Sequence, residues 1–298
     1  MSDLDRRRLL GAGAILAAGA AAATRGVAKD APEASDSRGY ANVSGLRVYY
    51  EVHGGPLAAG VVPLVLLHGG AMTIETAFPP GLISHLSTTR PVIAIEQQAH
   101  GHTGDRKGPI MLNRMIDDTS GVLKQLGVKQ ADFLGHSLGG LIATGMAIRH
   151  PEQVRGVTTL SAFYVLAGML PELVRMQRGG TEAPSAQLAP LLPTEADFAA
   201  WRASYERSNP DPKSFDRSLA RLNAMLALWP GWSEAELRGI RAPFLVVIGD
   251  NDFVRIEHAA AMKRLIAGAQ LAVLPGVTHM DSIKRVDWWG PMMDARLV

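Results

Sequence analysis

Ser137 stands at the centre of Gly135-His136-Ser137-Leu138-Gly139, between a short apolar strand-like stretch and an apolar run that reads as a helix. A serine hydroxyl is a poor nucleophile, so chemistry on it requires a base placed to take its proton. A sharp strand-to-helix turn lifts the hydroxyl clear of the sheet, and the flanking glycines suit a turn too crowded for a Cβ. The helix N-terminus behind Ser137 offers backbone N–H groups and a partial positive charge to a developing anion. These residue types in this order point to acyl transfer through a serine.

An imidazole base and a carboxylate to orient it complete such a centre. In an open α/β sheet, reacting groups sit at the carboxyl ends of strands. Two downstream loops meet that condition. Phe244 to Ile248 leads into Gly249-Asp250-Asn251-Asp252, and Leu271 to Leu274 leads into Pro275-Gly276-Val277-Thr278-His279. The chain order is then Ser, Asp, His, with Asp250 and Asp252 as rival acids.

The elements that must hold these groups alternate along the chain. Tyr40 to Val43 and Leu46 to Val52 read as a hairpin turning at Ser44-Gly45. Val61 to Leu67 is a continuous apolar run ending at His68-Gly69-Gly70, as expected of a strand buried on both faces. A helical stretch to about Leu86, a strand over Pro91 to Ile95, a helix from Met111 to Leu126 and a strand from Val154 to Leu160 follow. The alternation predicts a doubly wound, mostly parallel sheet. From Gly168 to Trp232 it stops, and helical pieces separated by Pro and Gly take over. Thr194 is the expected cap of one helix, and another runs from about Pro212 to Leu228. The block reads as a helical lid at 168–232, inserted into a core formed by 29–167 and 233–298. Ile256 to Ile266 is a further helix, and the C-terminal tail is helical.

The chain at this point resembles the α/β-hydrolase superfamily over nearly all of residues 40–298. The resemblance rests on His68-Gly69-Gly70, Gly135 to Gly139, Gly249-x-x-Asp252 and Gly276-x-x-His279. It implies Ser137 as nucleophile, Asp252 as acid and His279 as base. The Gly-x-x-Asp pattern favours Asp252 over Asp250. The implied oxyanion hole is the Leu138 N–H with that of Gly70, or else Ala71. The loop at 96–104 departs from the resembled Asp-x-Arg-Gly-His-Gly pattern: Glu96 replaces Asp, Gln98 replaces Arg and His102 is extra.

The remaining histidines carry structural expectations. His68 and His136 belong to the motifs and satisfy nearby backbone groups. His100 and His102 with Asp105 suggest a metal only weakly, because no second cluster completes a shell. No metal or cofactor is expected. His53, His85, His150 and His258 are expected at the surface or at helix ends. Within the helical block, Met169, Trp201, Met225 and Trp229 are the candidate substrate-lining residues, with Leu170, Met176, Tyr205 and Trp232 as further apolar positions.

The chain has 298 residues, 47% hydrophobic and 19% charged, enough for one globular domain with an insertion. There is no Cys, so disulfides, thiolate metal sites and a lipidated cysteine are excluded. Residues 1–28 read as an export signal, with Arg6-Arg7-Arg8-Leu9-Leu10 before a Gly/Ala-rich run to Ala23 that is too short to span a bilayer. The arginines resemble the twin-arginine type, with cleavage after Ala23 or Ala28 and a periplasmic or secreted product. The net charge is +2 and the leader carries as much, leaving no basic surplus for nucleic acid or an anionic membrane. The expected activity is hydrolysis of a small or medium apolar ester or lactone. A cofactor-free haloperoxidase or perhydrolase, a carbon–carbon bond hydrolase and a non-catalytic binding protein are the alternatives.

Overall fold

The computed structural model describes residues 36–297, and the export segment expected at 1–28 lies outside them. Eight strands form one sheet: β1 (Ser37–Val43), β2 (Leu46–His53), β3 (Leu64–Leu67), β4 (Val92–Ile95), β5 (Ala131–His136), β6 (Val154–Leu160), β7 (Phe244–Asn251) and β8 (Gln270–Thr278). Their order is β1-β2-β4-β3-β5-β6-β7-β8. The pairs β1/β2 and β2/β4 are antiparallel, and the others are parallel. The hairpin turns at Ser44-Gly45, both at positive φ, which matches the twist of the strands it joins. β3, β4 and β5 are buried along their whole length, which is why β3 and β4 read as unbroken apolar runs; β5 also buries Asp132 and His136.

Among the described residues ten α-helices accompany the strands. In the core are α1 (Ile74–Ala77), α2 (Leu82–Leu86), α3 (Leu112–Gln125) and α4 (Leu138–Arg149). Between β6 and β7 come α5 (Pro171–Gln177), α6 (Glu195–Ser208), α7 (Phe215–Leu228) and α8 (Glu234–Gly239). After β7 come α9 (Ile256–Leu265) and α10 (Val286–Leu297). Among the described residues, none is long and apolar enough to cross a membrane.

Three of the departures from the expected boundaries have clear physical causes. The run from Val61 pairs only from Leu64, because Pro63 has no N–H and Val61 is exposed. The single helix expected before Leu86 is two short ones, since Pro79-Pro80-Gly81 interrupts it. β8 runs on through Pro275 to Thr278, beyond the expected end at Leu274. It is the outer strand of the sheet, where a missing N–H costs no ladder bond.

The helices between β6 and β7 are tied down by specific contacts. α6 begins with a reciprocal cap: Thr194 Oγ1 accepts from Asp197 N, and Asp197 Oδ2 accepts from Thr194 N at 2.7 Å. Its Ser204 hydroxyl lies 2.9 Å from that of Thr73 and donates to Glu75 at 2.6 Å, fixing α6 on α1. Asn209 donates to the Gly101 carbonyl at 2.7 Å. At the other end, Leu170 N donates to Phe253 O at 2.8 Å and Trp232 N to Tyr164 O at 2.7 Å.

Candidate active site

Strand order reverses across β3 and β5: β4 lies on one side of β3 and β5 on the other. Open parallel sheets form their binding crevice at such a switch point. The loops leaving these two strands carry Gly69-Gly70 and Ser137.

Ser137 sits at φ 52° and ψ −117°, a sparsely populated conformation that a tight turn imposes. Its N–H donates to Leu160 O at 2.9 Å, and its carbonyl accepts from Gly140 N at 2.8 Å and Leu141 N at 3.1 Å. The backbone is therefore held on both sides while the side chain stays partly exposed. The two glycines are required by close approach. A Cβ on Gly135 would overlap the Gly139 carbonyl, and a Cβ on Gly139 would overlap the Leu67 carbonyl of β3.

His279 lies just past β8 and is buried. Its Nδ1 is 2.9 Å from Oδ1 of Asp252. Its ring stacks on Phe253 with centroids 3.9 Å apart and planes 19° from parallel. Its carbonyl accepts from His136 Nε2 and from Ser282 Oγ, each at 2.9 Å. Asp252 Oδ1 also accepts from Val254 N at 2.9 Å. Burial pushes the Asp252 carboxyl up, but the charge and hydrogen bond of His279, with the nearby Ser161 hydroxyl and the Val254 N–H, hold it below its ordinary value. Asp250, the rival acid, is exposed and accepts from Gly276 N at 2.6 Å, so it closes the β8 turn and leaves His279 alone.

Ser137 and His279 line one cavity of about 150 Å³. Gly70 and Leu138 line it too, and among the described residues neither N–H has an intramolecular acceptor. Ala71 also lines it, but its N–H donates to His100 Nε2 at 3.0 Å. Of the two alternatives after His68-Gly69, the free donor is Gly70. His100 enters the sequence reading only with His102 and Asp105 as a weak metal suggestion, and nothing in its spacing signals that it anchors this turn.

Buried neutral imidazoles brace the same region. His68 accepts from Gln97 N at 3.0 Å and donates to Gly69 O at 2.8 Å. His100 donates to Gln98 O at 2.8 Å. Burial pushes His68 down to about 3, and His100 and His136 to about 4. The departures at 96–104 form a packed unit. Glu96 is buried and accepts from Ile74 N at 3.0 Å, His102 N at 2.5 Å and His102 Nδ1 at 3.0 Å. Gln98 donates to Asp105, which also pairs with Arg221, while Arg106 pairs with Asp118 at 2.6 Å. His100, His102 and Asp105 thus face three different partners. His258, expected at the surface or at a helix end, lies in the first turn of α9 and is buried. Its Nε2 accepts from Tyr164 N at 3.1 Å and its ring stacks on Tyr164, because the start of α9 turns inward under the β6 loop.

Of the four candidate lining residues, Trp201 and Met225 line the cavity with Ser137 and His279. Met169 does not: its backbone bridges Val254, which buries its side chain in the core. Trp229 lines a different cavity, of about 470 Å³, on the far side of α7 beside Ile110 and Leu112. The sequence reading missed Phe253 and Met280, which neighbour Asp252 and His279 in the chain, and Phe198, Leu222 and Leu226 from α6 and α7. Chain adjacency to the acid and base was the available signal for the first two.

A serine on a strained strand-to-helix turn, a buried imidazole on a carboxylate and free N–H groups at a switch point define a serine-hydrolase type of centre on an α/β-hydrolase sheet. A model of the alpha/beta hydrolase family matches residues 64–286, and the chain belongs to that family. It is 26% identical over 254 residues to a 2-hydroxymuconate semialdehyde hydrolase of Pseudomonas putida, covering 78% of this chain and 85% of that one. The fold of an enol-lactonase from Burkholderia xenovorans LB400 superposes with a TM-score of 0.68 at 22% identity, covering 87% of this chain and 99% of that one. Est816, described as an N-acyl homoserine lactone degrading enzyme, superposes at 0.64 with 26% identity, covering 86% and 99%.

Proposed function

We propose that the protein is an exported serine hydrolase that cleaves a carboxylic ester or lactone of an apolar substrate through an acyl-enzyme on Ser137. The observation that carries the reading is the His279–Asp252 contact at 2.9 Å in the wall of the cavity that also holds Ser137. Ser137 Oγ attacks the carbonyl carbon, and its proton passes to His279. Asp252 holds the imidazole in the tautomer with Nδ1 protonated and stabilises the charge that forms. The oxyanion faces the Gly70 and Leu138 N–H groups, worth about 3–4 kcal/mol each at such a site. His279 then protonates the leaving alkoxide. Water, activated by His279, releases the acid and restores Ser137.

A second reading is hydrolysis at a carbon–carbon bond by the same residues, and the similarity to a 2-hydroxymuconate semialdehyde hydrolase is its support. The cavity lining argues for the ester. Among the described residues it holds Met, Leu, Phe and Trp side chains and Asn223, with no Lys or Arg to pair with a substrate carboxylate.

The test is intact mass after a fluorophosphonate probe, with Ser137→Ala as control, followed by a panel of neutral esters, lactones and an anionic vinylogous diketo acid. One adduct on the wild type, none on the variant, and turnover of the neutral compounds support the reading. Turnover of the anionic diketo acid alone favours the second. Export is tested separately by fractionation of cells carrying the full chain and an Arg6→Lys/Arg7→Lys variant.

A further inference from the structure

Ser161 is the residue just past β6, between the strand that leads to Ser137 and the strand that leads to Asp252. It is fully buried and sits at φ 54°. Few non-glycine residues adopt that region, and those that do are held there by their surroundings. Here the hold is visible. The Ser161 N–H donates to Val247 O at 2.9 Å, just as the Ser137 N–H donates to Leu160 O one strand over. Ala71 past β3, Ser137 past β5 and Ser161 past β6 all have positive φ, at the carboxyl ends of neighbouring strands. Ala71 is committed to His100, and Ser137 presents the nucleophile. Ser161 has no part in the chemistry described above.

Its hydroxyl joins two groups that do. It donates to Ser282 Oγ at 2.9 Å, and Ser282 Oγ donates to the His279 carbonyl at 2.9 Å. It also stands beside the carboxyl of Asp252. Oδ1 of that carboxyl has two donors, His279 Nδ1 and Val254 N. Oδ2 is buried and has none. A buried carboxylate oxygen without a donor is costly, and a hydroxyl rotates to suit its neighbours. The Ser161 hydroxyl has one proton: Ser282 Oγ takes it at 2.9 Å, and the neighbouring Asp252 carboxyl offers the unpartnered Oδ2 as a second acceptor to turn to. When it turns to Oδ2, the His279 carbonyl is still held by His136 Nε2 at 2.9 Å.

We propose that Ser161 is a positioning residue of the active site, whose hydroxyl donates to Oδ2 of Asp252 and sets how strongly that carboxylate holds His279. The proposal rests on the assignment of Ser137, His279 and Asp252 as the reacting set. A donor on Oδ2 draws charge from the carboxylate. Without it, Asp252 stabilises a protonated His279 more strongly, so the base becomes active at higher pH. The titratable groups that face His279 are Asp252 and, across the ring pair, His136. Neither is altered by the substitutions below.

The experiment measures the rate of fluorophosphonate inactivation against pH, beside kcat and KM on p-nitrophenyl acetate, for the wild type, Ser161→Ala, Ser161→Gly and Ser282→Ala. Ser161→Gly accepts the positive φ without strain and guards against an unfolded alanine variant. Both Ser161 variants are expected to lose about tenfold in kcat with KM nearly unchanged. Their acid limb is expected to move up by about half a pH unit, and that of Ser282→Ala to stay in place. Ser161→Cys, with a weak donor of similar shape, should fall between. A loss of rate with no movement of the limb, or the same movement in Ser282→Ala, would overturn the proposal and leave Ser161 a structural residue. An unlabelled, folded wild type would remove the assignment of Ser137 itself, and this inference with it.

Discussion

His279 and Asp252 meet at 2.9 Å, though 27 residues separate them and different strands deliver them. β7 and β8 are parallel neighbours in register at Gly249 and Leu274, and a shift follows between Gly249 and Asn251. That irregularity turns Asp250 outward to Gly276 N and Asp252 inward to the imidazole.

The two aspartates should therefore separate cleanly. Asp252→Asn leaves the shape of the loop intact but favours the wrong tautomer of His279, and kcat should fall by about 10⁴-fold. Asp250→Asn should stay within about threefold of wild type. Steady-state kinetics on one neutral ester, with circular dichroism to verify folding, decides the matter. A larger loss in Asp250→Asn would reverse the roles.

Gly139 is a point of backbone contact between α4 and β3. Gly139→Ala drives a Cβ into the Leu67 carbonyl, so the turn must open. Overpacking of this kind should cost about 3 kcal/mol, a drop in Tm of about 6–12 °C. Activity should fall further than stability, because the Ser137 and Leu138 backbone moves with the turn. Calorimetry together with residual activity at low temperature tests this, and an unshifted Tm would refute it.

Four buried histidines make the fold sensitive to acid. Burial pushes His68 down to about 3, and His100, His136 and His258 to about 4, from an ordinary value of 6.5. Between those values the unfolded chain binds protons that the folded chain does not. Stability is thus fully present above about pH 6.5 and is lost as pH falls toward 4, by about 1.4 kcal/mol per pH unit for each histidine. His53 and His102 are shifted up by carboxylate partners, so their contribution is lost only as pH rises above 6.5. Urea midpoints from pH 7 to pH 4 should show the decline. His258→Gln, which keeps an acceptor for Tyr164 N, should reduce the slope by one proton.

Met225 limits the cavity beside Ser137. Met225→Ala should extend it and shift preference toward longer acyl groups, by about fourfold in kcat/KM for each further methylene buried. A series of p-nitrophenyl esters from acetate to octanoate measures this. An unchanged profile would mean that acyl groups lie elsewhere. The truncation should also cost about 2–5 kcal/mol of stability, read from urea unfolding.

Much of the fold is legible in the chain because parallel strands buried on both faces must be continuously apolar. Leu64–Leu67 and Val92–Ile95 announce themselves in this way. Thr194 and Asp197 mark the start of α6 through local hydrogen bonds alone. The helical block between β6 and β7 is visible as an absence of strand pattern. Where an element ends is less legible. The extension of β8 through Pro275 depends on its place at the edge of the sheet, where the missing N–H costs no ladder bond.

The sequence alone determined the residue types of the centre, their order and their places at the carboxyl ends of strands, since motif and periodicity are properties of the chain near each residue. Tertiary structure decided which aspartate faces His279, which N–H past His68-Gly69 is left free, and that Trp201 and Met225, but not Met169 or Trp229, share a cavity with Ser137. Periodicity assigns a side chain to a face of its own helix or strand. It carries no information on what packs against that face, and so Met169 lies in the core, Trp229 across α7 and His258 beneath the β6 loop. Hydrogen bonds act over about 3 Å, and only the register of strands distant in sequence brings groups within that range.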